Sequence, residues 1–456
     1  MELPKSPLQR QNRIPTLKMY IPSAVLPLAL HFELTCVILL FMYKFLKGRL
    51  IIVRLILLAA TLSLIAIGIA TIYSVGNPAQ ISPAGQTENL SDLWKKQLIF
   101  AAIGAVGFIV VNLVNYRKFG PLSYWLYAFV LLLLAILLLD KIIDLPFVPV
   151  IKNARRWLRI GTASRFVQVQ PSEICKLAYI LALAWYLRYR SNYRNFSALI
   201  GPFALTILPM LLILLEPNLG TVLLMMPILF AMLFVAGAKV KHLAVIILMA
   251  LLVSPLLWLK MQPYQRTRIS SVLLQNDWLQ KKAEHYPALG RLLVGKKFST
   301  KQWENDWGYH LIRSKFAVAS GGAKGYGFRQ GPFIKYNFLP ERHNDFAFAI
   351  IAHQWGFIGC IILLVFYIII IACGLEISVH NTDPFGRLLA VGIIAMFTVE
   401  VLVNVSMTVG LMPITGLTLP LISYGGSSLL VSMTSIGLLN NIGRRRPFSV
   451  APKSFR

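Results

Sequence analysis

Residues 320–348 read SGGAKGYGFRQGPFIKYNFLPERHNDFAF. Gly321, Gly322, Gly325 and Gly327 follow Ser320 closely, the cations Lys324, Arg329, Lys335 and Arg342 are spread among them and beyond, and Glu341, His343 and Asp345 stand directly before a long apolar segment. A glycine-rich loop lets backbone N–H groups approach an anion, and neighbouring cations add charge at the same place. A helix beginning near Pro340 would put Glu341 and Asp345, four residues apart, on one face at the water boundary. Two acids beside a cationic, glycine-rich loop at the start of a membrane helix make a candidate reaction site on a membrane surface.

Those residues need a frame, and the composition says which kind. The chain has 456 residues, 57% hydrophobic and 14% charged, with mean hydropathy +0.67. That is too apolar for a soluble enzyme of this size. A span takes about 20 mostly apolar residues. Ten segments qualify: 50–75, 94–115, 121–140, 171–188, 197–215, 219–237, 241–259, 344–373, 386–411 and 425–443. The expected fold is therefore an all-α polytopic membrane protein, a helical bundle. An eleventh apolar segment, 21–43, carries His31 and Glu33 and is either an extra N-terminal span or an interfacial helix. Organisation follows: 1–49 is a basic tail plus that segment, 50–443 a single membrane domain, and 444–456 a basic tail.

The formal charge of +28 does not mark a nucleic-acid binder, because the cations flank the spans. Arg117 and Lys118, Arg188 to Arg194, Lys239 and Lys241, Arg387, and Arg444 to Arg446 recur after every second span. Positive residues on short loops stay in the cytoplasm, which places the C-terminus inside. The loop between spans seven and eight, 260–343, then lies outside with fifteen Lys and Arg against five Asp and Glu. Long loops translocate regardless of charge, so the topology holds. An anionic partner on the outer face is one reason for that excess; membrane lipid head groups are the other.

Further candidates lie in the shorter connections. Arg155, Arg156 and Trp157 put two cations beside an interfacial ring, which suits a lipid-linked phosphate or sugar. Pro171 opens a span with Glu173 in its first turn, and Glu173 and Lys176 at i,i+3 can pair as they enter the membrane. Glu216-Pro217-Asn218 makes a tight turn, and Glu400 lies deep in a span, where it must face protein or a wet cavity. Residues 404–428 mix Gly, Pro and hydroxyls, Ser427 among them, at membrane depth, so protein or a cavity must cover them. Gly290 to Lys296 has phosphate-loop spacing, but Lys297 stands where Ser or Thr must hold magnesium. The four cysteines, Cys36, Cys175, Cys360 and Cys373, lie in or beside apolar segments and form neither a disulfide framework nor a metal site.

PITGLTLPLISYGGSS (413–428), QPSEICKL (170–177), NARRWLRIG (153–161), EPNLGT (216–221) and FLPERHNDFAF (338–348) together resemble the signature segments of the SEDS family, the RodA/FtsW/SpoVE proteins of shape, elongation, division and sporulation. The FLPE wording is nearer the RodA branch. The resemblance runs from about residue 50 to 443 and implies a ten-span peptidoglycan glycosyltransferase polymerising lipid II on the outer face of the bacterial cytoplasmic membrane. It also implies a class B penicillin-binding transpeptidase as partner. It maps the family's essential aspartate onto Asp345, its motif glutamate and histidine onto Glu341 and His343, its loop tryptophan onto Trp157, and its PSE-x-x-K pair onto Glu173 and Lys176. The chain departs from the family pattern at Glu216-Pro217-Asn218 (for Gln-Pro-Asp), at His353-Gln354-Trp355-Gly356 (for Glu-Glu-Leu-Gly), in an insertion around 275–305, and in segment 21–43.

The implied reaction joins a sugar hydroxyl to the anomeric carbon of a diphosphate-linked sugar in one inverting displacement. Asp345 is the expected base, with Glu341, His343 and Trp157 supporting it. Arg155, Arg156, Lys324 and Arg329 are the candidates for the diphosphate, and Glu173, Lys176 and Ser427 are further substrate contacts. No cofactor is required, although a divalent cation beside the diphosphate is compatible with this chemistry. A flippase for the same precursor would use the same basic cavity without Asp345, and a scaffold for the transpeptidase would need no acid at all.

Overall fold

The computed structural model describes residues 50–77, 90–150, 155–161, 166–189, 196–336 and 338–445. Segment 21–43 and most of both terminal tails lie outside these residues, as does Asn153.

Ten apolar helices fall on the ten expected segments. The first five are α1 (Ile51–Gly76), α2 (Leu93–Leu113), α3 (Tyr116–Leu139), α4 (Pro171–Leu187) and α5 (Ile200–Leu215). α6 (Leu219–Val235) and α7 (Val240–Lys260) follow; five short helices, α8 to α12, and one turn of helix, α13, come before the last three. These are α14 (Ala347–Val379), α15 (Pro384–Val409) and α16 (Gly426–Arg444). Six helices among the described residues are long and apolar enough to cross a membrane: α1, α2, α3, α5 with its leading turn, α14 and α15. Strand structure among the described residues is confined to one hairpin, β1 (Leu158–Gly161) and β2 (Phe166–Val169), paired antiparallel with Leu158 opposite Val169.

Burial separates the helices by role. α4 buries fourteen of its seventeen residues, Glu173 and Lys176 included, so it runs through the centre of the bundle with protein on all sides. α16 is nearly as enclosed and approaches α2 closely at small residues: a Cβ on Gly437 would stand 3.2 Å from Phe108. Polar side chains lock that contact, Asn440 donating to Asn112 at 2.6 Å and Arg54 of α1 to Asn440 at 2.9 Å. α7 is the opposite case. Leu248, Met249, Leu251, Leu252 and Leu256 are all exposed, which suits a helix whose solvent is lipid.

α14 is two helices joined at a break. Gly356 has φ 63 and ψ −160, a conformation open only to glycine. The break frees backbone groups, and the glycine-rich loop supplies their partners: Phe357 N–H donates to Gly322 O at 2.9 Å and Ile358 N–H to Ala323 O at 3.2 Å. In return Tyr326 N–H reaches His353 O and Gly327 N–H reaches Gln354 O. The N–H groups of Gly321, Gly322, Gly325, Tyr326, Gly327 and Gln330 are therefore spent on helix and loop carbonyls. The expected helix start near Pro340 is also corrected. Residues 340–346 form turns, Glu341 has φ 53, and helix begins only at Ala347. Glu341 and Asp345 thus share a turn, not a helix face.

The insertion around 275–305 folds into α9 (Asp277–His285), α10 (Pro287–Val294) and α11 (Thr300–Asn305). With α8 (Pro263–Leu273) and α12 (Tyr309–Ser320) it closes around its own small core of Leu274, Ala283, Val294, Phe298 and Trp303.

Candidate active site

The turn carrying Asp345 is fastened to the irregular segment 413–425. Asn404 of α15 donates its amide to Asp345 O at 3.0 Å and to Leu417 O at 2.7 Å. Ser423 Oγ donates to Asn344 O at 2.6 Å, and Tyr424 N–H to His343 O at 2.9 Å. The His343 ring meets Tyr424 edge-on with centroids 5.8 Å apart. Glu341 accepts from Asn344 Nδ2 at 2.8 Å, so both supporting residues brace the turn. The Asp345 carboxylate lies over Gly416, where a Cβ would come within 3.6 Å of Oδ2. Gly416 has φ 77, so glycine suits both the backbone and the space beside the acid.

Arg156 brings charge to this carboxylate. Its guanidinium donates to the main-chain oxygens of Glu216, at 2.9 Å, and Pro217, at 2.6 Å. The expected turn 216–218 is therefore the socket of the expected arginine. Burial lowers the Arg156 pKa first and the like charge of Arg268 adds to that, while Glu216, Tyr264 and Asp345 act the other way. All four therefore lie within electrostatic reach of Arg156. Tyr264 and Arg268 come from α8, four residues apart on one helical face, and neither is among the site residues expected from the sequence. The signal available was a Tyr and an Arg at i,i+4 directly after a span, in a segment free of acids.

Arg155, paired with Arg156 in the sequence, does other work. It forms ion pairs with Asp140 at 2.7 Å and Asp144 at 2.8 Å, pinning the loop to the end of α3. Trp157 is half-buried where this loop enters β1. Ser427, in the first turn of α16, accepts from Gln170 N–H at 3.0 Å and so ties α16 to the start of α4.

Glu173 and Lys176 are buried with Glu400, which the sequence left without a partner. Lys176 Nζ lies 2.7 Å from Glu173 Oε2 and 2.5 Å from Glu400 Oε1, joining α4 to α15. Of the two loop cations, Arg329 donates to Asn77 O at 2.6 Å and lies over the Tyr73 ring at 5.5 Å, against the end of α1. Lys324 is exposed. Arg342, beside the acids, is buried and donates to Phe333 O, Ile334 O and Val75 O.

Glu216 itself is fully buried, and neither carboxylate oxygen has a hydrogen-bond partner among the described residues. Burial pushes its pKa up to about 8 against the pull of Arg156 and Lys141. Cys175, Cys360 and Cys373 are buried free thiols.

Comparison with known proteins gives a consistent picture. The family model FTSW_RODA_SPOVE, described as cell cycle protein, matches residues 54–447. The chain is 31% identical over 439 residues to the peptidoglycan glycosyltransferase RodA of Treponema pallidum, covering 86% of this chain and 97% of that one. It is 32% identical over 394 residues to stage V sporulation protein E of Bacillus subtilis, covering 86% and 96%. Against the peptidoglycan glycosyltransferase MrdB of Escherichia coli K12 the identity is 34% over 345 residues, covering 75% and 85%. Among solved structures, a chain of a peptidoglycan synthase complex that coordinates polymerization and crosslinking superposes with TM-score 0.65 at 28% identity, covering 85% and 96%. The rod shape determining protein RodA of Thermus thermophilus gives TM-score 0.55 at 26% identity, covering 85% and 95%.

Proposed function

The chain belongs to the FtsW/RodA/SpoVE family, and from that premise we propose how its turn at 340–346 builds glycan. The protein is an integral membrane peptidoglycan glycosyltransferase. Its substrate in this reading is lipid II, and its site opens on the outer face of the bacterial cytoplasmic membrane with the C-terminus inside. The observation that carries it is the Asp345 turn, held by Asn404, Ser423 and Tyr424 with its carboxylate beside Gly416 and within electrostatic reach of Arg156.

Asp345 accepts the proton of the incoming sugar hydroxyl as its oxygen bonds to the anomeric carbon of the second sugar. The bond from that carbon to the diphosphate breaks on the opposite side, and its electron pair leaves with the diphosphate. Arg156 and Arg268 take up the charge that develops there. Because Arg156 is held by two carbonyls, it is oriented before substrate arrives and needs little reorganisation. Glu341, His343 and Trp157 act by shaping the turn and the loop, and Arg155 by anchoring that loop. Glu173, Lys176 and Ser427 hold α4 in register with α15 and α16. A class B transpeptidase is the partner that would crosslink the emerging strands.

The test is polymerisation of lipid II by the purified protein in detergent, with no other polymerase present. Glycan strands are the expected product; their absence, even with the transpeptidase supplied, would refute the reading. A flippase or a bare scaffold makes no polymer in that assay.

A further inference from the structure

The charge excess of the large loop is not spread evenly. Two stretches meet at the C-terminal end of α7, and neither contains an acid: 258–273, with Lys260, Arg266 and Arg268, and 287–298, with Arg291, Lys296 and Lys297. Arg268 lies within electrostatic reach of Arg156. The other five form a collar around the junction. Trp258, three residues from the end of α7, donates its indole N–H to Leu292 O of α10 at 2.9 Å. Ser270 Oγ of α8 donates to Leu293 O at 2.6 Å, and Arg266 to Leu259 O at 2.7 Å. These bonds fix the inserted helix α10 at the depth of the last turn of a lipid-facing helix.

That depth is the membrane interface, where tryptophan is at home and where lysine and arginine reach head groups. Leu259, Tyr264, Leu273 and Leu292 are exposed beside the collar. Lys260, Arg291, Lys296 and Lys297 are exposed as well, and none of them forms an ion pair among the described residues. Glu284 of the insertion accepts from Thr300 at 2.8 Å. Apolar side chains with cations at one level of a membrane describe an interfacial lipid-binding surface.

We propose that the collar of α7, α8 and α10 binds anionic phospholipid head groups of the surrounding leaflet, and that the insertion serves to hold α8, and with it Arg268, against the membrane surface. Charge complementarity and continuity with α7 select this occupant over a soluble partner. The lipid contact stands apart from the catalytic reading, since none of the five collar residues is assigned to the reaction, while the part given to Arg268 rests on that reading.

The experiment uses the full chain in nanodiscs of phosphatidylcholine alone or with phosphatidylglycerol, followed by hydrogen exchange across 258–297. Phosphatidylglycerol should slow exchange of α8 and α10 several-fold, and added salt should reverse the slowing. The combined variant Lys260→Gln, Arg291→Gln, Lys296→Gln and Lys297→Gln should lose the difference while keeping the exchange of α4 and α16 unchanged. Equal protection in both lipids would overturn the proposal, as would a difference that survives in the variant. Protection that appears only when lipid II is added would assign the collar to substrate and overturn it too. A milder variant, Lys296→Gln with Lys297→Gln, should give a partial loss and guards against a folding defect in the larger one.

Discussion

At the scale of single residues, the turn at 341–345 divides chemistry from support. Asp345→Asn keeps size and hydrogen bonding but cannot take the proton, so polymerisation should fall roughly 10² to 10⁴-fold with thermal stability unchanged. A stable, fully active variant would remove Asp345 from the reaction. Arg156→Gln should lower kcat for lipid II, because the charge it takes up develops in the transition state, whereas Arg155→Gln should act through a loosened loop and lower stability instead; saturation curves and melting of both variants separate these effects. Glu216 makes a pH-dependent prediction. Its folded pKa of about 8 lies above its ordinary 4.5, so the fold prefers the protonated form. That contribution to stability is whole below about 4.5 and is lost as pH rises through about 8. Melting temperature should decline across this window in the wild type and show less decline in Glu216→Gln, and parallel curves would show that Glu216 does not titrate there. Residue type and position alone mark Arg155 and Arg156 as a cation pair and Glu341 and Asp345 as candidate acids, and only the family resemblance picks Asp345. That Arg155 is tied to Asp140 and Asp144 while Arg156 is held by the 216–217 carbonyls could not be read, because those partners are brought together only by folding.

At the scale of elements, the informative part is the join between the glycine loop and α14. The sequence showed glycines before a helix, a pattern equally suited to an anion cradle and to close backbone packing. Packing is what the geometry uses: a Cβ on Gly325 would stand 2.2 Å from Gln354 O, and its φ is 76. Gly325→Ala should therefore cost about 1–3 kcal/mol from backbone strain, with a further penalty from the clash. Gly322, at φ 52 with nothing within 4 Å of a Cβ, should accept Asn at little cost. Similar losses for both in a melting experiment would contradict this account. The late start of α14 was hidden for a related reason. Pro340 is a good first helical residue, but the left-handed Glu341 after it turns the chain, and only the tertiary contacts with 419–424 reveal that.

Across the whole molecule, the order of apolar segments gave the ten helices nearly to their ends, because lipid imposes length and hydropathy on each. What hydropathy could not rank is which helices lie innermost. α4 is among the least apolar of the ten and sits at the centre, since a charged pair is tolerated there only with a third partner. Lys176→Met would leave Glu173 and Glu400 facing each other in a buried site and should destabilise by about 3–5 kcal/mol. Glu400→Gln should be milder, because Lys176 keeps Glu173. Unfolding of the two purified variants in detergent measures this, and equal stability would mean the triad does not hold α4 to α15.

The burial of Arg342 bears on genetics. It lies three positions from Asp345, yet its guanidinium is spent on the carbonyls of Phe333, Ile334 and Val75, knitting the turn to α13 (Pro332–Lys335) and α1. A loss-of-function screen across this short stretch should therefore return two kinds of dead clone that look identical on a plate. Alleles at Asp345 should accumulate protein to normal levels and interfere with a coexpressed wild-type copy by occupying its partner. Alleles at Arg342 should be cleared by proteases and prove recessive. Dominance, rather than the severity of the phenotype, would then sort the neighbours.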